Sequence, residues 1–146
     1  MKIYLDMNIY NRPFDDQSQV RVRLETVAVF EILQMLKSGS LSLVWSFILE
    51  YENSLNPYDD IRMEIERISF LSSENVMSSE DIRKTAGQYE KKGIKPRDAL
   101  HIACAVKSNA DYFLSCDDKV VRKADVLSTN LKIVNPVDFI REVEVN

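Results

Sequence analysis

Four carboxylates recur in this chain at places where secondary structure changes: Asp6, Glu50, Asp98 and Asp117, with Asp118 directly after the last. Asp6 ends the apolar run Ile3-Tyr4-Leu5, and Asn8 follows it closely. Glu50 lies just beyond Ser46, which ends a second apolar run. Asp98 follows Pro96-Arg97, and Asp117 follows Tyr112-Phe113-Leu114-Ser115-Cys116. If these groups meet, they repel. Two carboxylates roughly 5 Å apart cost about 3 kcal/mol at an effective dielectric near 20. The six pairs among four come to roughly 10–20 kcal/mol, comparable with the stability of a whole domain. Such a cluster takes up protons, spreads out or binds cations. Carboxylate oxygens are hard donors that suit Mg²⁺ or Mn²⁺. The chemistry that follows is metal-assisted hydrolysis of a phosphodiester, with the ion acidifying water and offsetting charge on the leaving oxygen.

Each residue also has a plainer explanation when taken alone. Asp98 is favourable near a helix N-terminus through capping and the helix dipole. Asp117 or Asp118 serves equally as a turn residue, and Glu50 as a solvated helix residue. The conjunction carries the argument, so the elements must bring them together.

Apolar runs at Ile3–Leu5, 41–45, 112–114 and 131–134 read as strands, with Val76-Met77 as a short edge strand. Between them the pattern is helical. Val29, Ile32, Leu33 and Leu36 share a face over 20–37, and Gly39 sits where a C-cap belongs. Ser46 caps a helix to about Leu55, and Pro57 separates it from one striped by Ile61, Ile65 and Ile68. Ile82, Ala86 and Tyr89 mark a helix over 80–92. Pro96-Arg97-Asp98 opens another, and 137–143 closes the chain as a last helix. Strands alternating with helices predict an α/β fold: a three-layer α/β/α sandwich around a central, mostly parallel sheet. Parallel strands send their carboxyl ends to one edge, where ligand sites of open α/β sheets form. Asp6, Glu50 and Asp117 follow strands and go to that edge. Asp98 joins them if its helix starts there.

At 146 residues the chain has the length of one domain, residues 1–146, with a real core. Net charge is −4, which argues against a broad nucleic-acid-coating surface, yet one cluster of four carboxylates would account for it. No apolar run reaches membrane-span length and no signal pattern precedes Asp6, so the expectation is cytoplasmic. Cys104 and Cys116 have neither disulfide-framework nor zinc spacing and read as reduced thiols.

Arg12, Lys95, Arg97, Lys119, Arg122 and Lys123 lie beside the acids in sequence and are candidates for a phosphate-gripping rim, Arg12 and Arg97 foremost. His101, three residues after Asp98, shares its helix face and reads as a structural or site-flanking residue rather than a base. Tyr10 and Phe14 offer a ring for stacking on an unstacked base, or core packing; Trp45 reads as core.

The stretches YLDMNIYNRPF, SFILE, KPRDALHIACA and DYFLSCDDKVV, in this order and spacing, resemble the PIN-domain family, and within it the VapC-type toxins of toxin–antitoxin pairs. The resemblance implies a metal-dependent endoribonuclease using Mg²⁺ (or Mn²⁺), with Asp6, Glu50, Asp98 and Asp117 as catalytic and metal-holding acids. It implies that Asn8 and Ser115 flank the first and last acids, with Asp118 as a supporting ligand or helix N-cap. It further implies an RNA substrate, a cognate antitoxin partner and a homodimer; separately, Glu52–Asp60 is a candidate dimer or antitoxin contact. Two alternatives remain open: a catalytically inactive PIN-like RNA- or protein-binding module, and a phosphoryl-transfer or receiver-type domain. The latter is disfavoured because position 8 is Asn rather than the second Asp of an Asp-x-Asp signature.

Overall fold

In a computed structural model that describes residues 1–145, five strands form one sheet in which neighbouring strands run parallel. The strands are β1 (Lys2–Leu5), β2 (Ser42–Ser46), β3 (Ser72–Val76), β4 (Tyr112–Leu114) and β5 (Lys132–Val134), in spatial order β3-β2-β1-β4-β5. The helices are α1 (Met7–Asn11), α2 (Val20–Lys37), α3 (Phe47–Ser54), α4 (Asp59–Ser69), α5 (Glu80–Lys91), α6 (Pro96–Lys107), α7 (Asp118–Arg122) and α8 (Pro136–Val145). The central strand β1 reads buried at Ile3, Tyr4 and Leu5, as a strand covered on both faces must.

The chain moves from β1 outward to β2 and β3, then returns to lay β4 on the other side of β1. Right-handed crossovers in opposite directions put their helices on opposite faces. Accordingly α2 packs with α8, while α5 packs with α6. The strand order therefore reverses between β1 and β4, and the crevice outside their carboxyl ends is where this topology opens a site. Asp6 follows β1 and Ser115-Cys116-Asp117 follow β4, so both rims of the crevice carry an acid.

Two glycines end helices in the left-handed conformation that costs other residues more. Gly39 (φ +84°) follows α2 and Gly93 (φ +96°) follows α5. The latter turn delivers the chain to Pro96, the first residue of α6, and so fixes where Asp98 begins its helix.

Three elements depart from the sequence expectation. The edge strand is Ser72–Val76 rather than Val76-Met77, because an edge strand needs only alternate burial and here that face is filled by polar side chains. The short helix α1 is not in the sequence pattern, and α7 is capped by Asp117 rather than by Asp118. Each is a single turn nucleated by its aspartate cap, with too few residues for periodicity to show.

Candidate active site

Asp6 is 6% exposed and caps α1. Its Oδ1 accepts the Met7 N–H at 2.8 Å. Its Oδ2 accepts Ser115 Oγ–H at 2.9 Å and Asn8 Nδ2–H at 3.2 Å. Asn8 also donates to Ser115 Oγ at 3.1 Å and accepts the Cys116 N–H at 3.0 Å. The Asp117 N–H reaches the same Ser115 hydroxyl at 3.1 Å. Thus Asn8 and Ser115 sew the end of β1 to the end of β4 and hold Asp6 beside Asp117. Asp117 caps α7 through one oxygen, Oδ1, to the Lys119 N–H at 2.9 Å.

Asp98 stands in the first turn of α6, half-buried, and among the described residues its carboxylate takes no side-chain hydrogen bond. Burial raises its pKa from the ordinary carboxylate value, and the Asp6 and Asp117 carboxylates raise it further. Asp6 is also raised, chiefly by burial, with the His101 ring opposing. Asp6, Asp98 and Asp117 are therefore electrostatic neighbours at the switch point.

The fourth acid there is Glu52, not Glu50. Glu50 is exposed and accepts the Trp45 Nε1–H at 2.9 Å. Glu52 faces inward, its Oε1 2.5 Å from His101 Nε2. The phase of α3 explains the exchange. Successive residues turn by about 100°, so Glu52 falls between the buried Ile48 and Leu49, whereas Glu50 points to the far side. That signal is present in the sequence for a reader who tracks helix phase rather than distance from Ser46.

His101 is 1% exposed and links two elements. Its Nδ1 lies 2.7 Å from the Tyr4 hydroxyl, which is 2.6 Å from Ser46 Oγ, and its Nε2 meets Glu52. The same nitrogen is 3.9 Å from Asp6 Oδ1. The Glu52 hydrogen bond and the Asp6 charge raise the His101 pKa, outweighing burial, which lowers it. His101 is thus a site-flanking residue that holds Glu52 in place.

Two expected members go elsewhere. Asp118 is exposed and forms a two-pronged pair with Arg21, both contacts 2.7 Å, so it neither caps α7 nor supports the acids. Arg21 accordingly lowers its pKa. Arg12 is committed to structure: its Nε lies 3.1 Å from Glu25 Oε1 and its NH1 3.0 Å from Asp15. Glu25 is 1% exposed and also meets Arg21 at 3.3 Å and Asn135 at 2.5 Å. A buried carboxylate needs such partners, and Arg12 is one of them. Arg97 does reach the site, its NH1 3.7 Å from Glu52.

Among the described cations with no carboxylate within 4.0 Å, three lysines lie beside the acids. Lys95, Lys119 and Lys123 line a small cleft with Asp98 and Asp117, and Lys123 Nζ donates to Gly93 O at 2.5 Å. The larger cleft along β5 and α8, about 980 Å³, contains none of the acids. Cys104 and Cys116 are free and buried, and burial pushes their thiols up to about 12 and about 11.

Among the described residues no group of three or more His, Cys, Asp or Glu side chains is placed to hold a metal ion by itself. Mg²⁺ does not require one, because it keeps waters and takes one or two protein carboxylates. Asp98, with both oxygens uncommitted to protein side chains, and Asp117, with one oxygen outside its cap, supply that donor set. Asp6 and Asp98, raised by burial and further by neighbouring carboxylates, gain from a nearby cation. The residues fit a hard divalent ion.

The PIN domain family model matches residues 3–126. No curated protein matches. Among solved structures, a chain of the VapBC2 complex from Rickettsia felis, bound to a promoter DNA fragment, is 20% identical, with 92% of this chain and 98% of that chain covered and a TM-score of 0.60. A chain of VapBC-1 from nontypeable Haemophilus influenzae is 19% identical, with 93% and 98% covered and a TM-score of 0.62. At these identities the likeness is one of fold. With the family match over most of its length and the acids gathered at the reversal between β1 and β4, this chain belongs to the PIN domain family.

Proposed function

We propose that this protein is a divalent-metal-dependent endoribonuclease and the toxin of a toxin–antitoxin pair. The observation that carries the reading is the meeting of Asp6, Asp98, Asp117 and Glu52 at one crevice, with Asp6 and Asp98 both raised toward protonation. Asp98 and Asp117 would hold Mg²⁺ or Mn²⁺, with Asp6 and Glu52 completing the negative field. When bound, the ion supplies positive charge against the phosphodiester and lowers the pKa of water. The protein's own residues do the rest. Ser115 and Asn8 keep Asp6 from swinging out, and His101 keeps Glu52 turned inward. Lys95, Lys119 and Lys123 grip the flanking phosphates of the RNA.

An antitoxin partner is supported by the fold neighbours, which come from VapBC complexes. It is also supported by an apolar surface on α2, where Val20, Leu24, Val27 and Phe30 are each more than half exposed. The same surface suits a homodimer, which light scattering tests directly. No helix among the described residues is long and apolar enough to cross a membrane.

The test is cleavage of a mixed RNA pool with Mg²⁺, with Mn²⁺ and with EDTA, beside an Asp98→Asn control. Metal-dependent cut sites that vanish in the control are expected. RNA binding without cleavage under either metal would refute the nuclease and leave a binding module.

A further inference from the structure

A second cleft, about 360 Å³, lies beside Glu52 and contains none of the three lysines. Glu52 and Arg97 form the wall it shares with the acids, and Met7, next to Asp6, lines it too. Its other walls carry two exposed aromatic rings, Phe14 at 44% and Tyr58 at 64% exposure. The other ring that follows β1, Tyr10 on α1, is buried edge-on against Trp45, so Phe14 is the one left in solvent.

Both rings stand on fixed supports. Phe14 ends a 3₁₀ turn, Arg12–Phe14, whose Arg12 is tied to Glu25 and whose Arg12 carbonyl accepts from Gln17 at 3.0 Å. The Tyr58 N–H is held by Asn56 Oδ1 at 3.0 Å. Rigid, exposed aromatic faces are the platforms on which unstacked bases sit.

Amides supply the polar part. Asn11, Asn53 and Asn56 line the cleft. Asn53 is 5% exposed and donates to the Arg62 carbonyl at 3.1 Å, while its Oδ1 has no hydrogen-bond partner among the described residues. That oxygen is itself buried, so the amide edges open to the cleft are those of Asn11 and Asn56. The cleft's volume falls within the range of small-ligand pockets, about 300–1,000 Å³. Flat apolar faces, amide edges and an adjacent cation at Arg97 match a heteroaromatic ring attached to an anion.

We propose that this cleft between the Arg12–Phe14 turn and the start of α4 receives one unstacked nucleobase next to the scissile phosphate, with Phe14 and Tyr58 as stacking faces. The proposal rests on the nuclease reading for its substrate. It makes the cleft the place where base preference at the cut is set.

The test has two arms. In EDTA, each of the four nucleoside 5′-monophosphates is titrated against labelled protein by NMR, which needs no turnover. Shifts at Phe14, Tyr58 and Asn56 that differ between bases are expected, and Phe14→Ala or Tyr58→Ala weakens them. In the second arm, products from a random single-stranded RNA pool are end-sequenced, and rates are compared with those on bis(p-nitrophenyl) phosphate. Either variant flattens base preference beside the cut and lowers kcat/KM on RNA, relative to the small diester, by roughly 5- to 100-fold. Phe70→Ala, at a ring 81% exposed and outside this cleft, is the control and leaves that ratio unchanged. Unchanged preference and ratio in both variants, with no nucleotide shifts in the cleft, overturn the proposal and leave the nuclease standing. Nucleotide shifts in the cleft, with neither RNA nor the small diester cut under any metal, support the cleft and overturn the nuclease.

Discussion

Glu52→Gln and Glu50→Gln make a matched pair, because the two residues share a helix and differ only in the face they occupy. Glu52 Oε1 is 2.5 Å from His101 Nε2, which is 3.9 Å from Asp6 Oδ1. Those two legs keep the Glu52 and Asp6 oxygens no more than about 6.4 Å apart, a repulsion of at least about 2.6 kcal/mol at an effective dielectric near 20. Removing the Glu52 charge relieves that repulsion and weakens a charge-assisted hydrogen bond worth about 1.5–3 kcal/mol. The two effects offset, so the metal-free Tm of Glu52→Gln stays within about 3 °C of wild type. On the proposed metal-dependent reading, an ion bound here would have no such compensation. Loss of one carboxylate from its field weakens Mn²⁺ affinity by at least about tenfold, and RNA cleavage falls with it. Glu50→Gln keeps an acceptor for Trp45 on an exposed side chain and changes neither quantity. Thermal scans with and without Mn²⁺, calorimetric Mn²⁺ titration and RNA cleavage on both variants make the assay. If Glu50→Gln loses metal and activity while Glu52→Gln keeps both, the orientation argument fails.

The metal-free protein should lose stability as pH rises from about 5 to 8, since folded-state values of Asp6, Asp98 and His101 are all raised, and a raised group stabilises below its unfolded pKa and ceases to do so above its folded one. Thermal scans in EDTA across that range should show a falling Tm, a shallower fall in Asp98→Asn, and a flat or rising profile would contradict it. Changing Lys95, Lys119 and Lys123 together to Gln should reduce the slope of log K against log salt for single-stranded RNA by about 2, at roughly 0.7 per phosphate contact. An unchanged slope would remove these lysines from the RNA path. Arg12→Met should lower Tm by roughly 5–10 °C, because it strips one partner from the buried Glu25 at a cost of about 2 kcal/mol. The KM for RNA of the folded protein should stay within about twofold, so a KM effect without a Tm effect would return Arg12 to the substrate.

What could be read from the chain alone was whatever its own neighbours decide. Asp6 and Asp117 end apolar strands and cap the turns after them through the Met7 and Lys119 N–H groups, contacts one and two residues long. Pro96 opens α6 and so places Asp98 in its first turn. Alternation of strands with helices carries the parallel sheet and its carboxyl edge, which is why three of the four acids were legible, while Asn8 and Ser115 came only with the family resemblance. The rest depends on partners distant in sequence. Glu52 replaces Glu50 because His101, on α6, lies against one face of α3. Arg12 leaves the substrate side because Glu25 is buried near it, and Asp118 leaves the acids because Arg21 lies across from it. Tyr10 turns in to Trp45 and Phe14 does not. A charged or aromatic side chain has several acceptable local conformations of similar energy. Which one is adopted is decided by the charge or cavity that folding brings to it, and no local pattern encodes that.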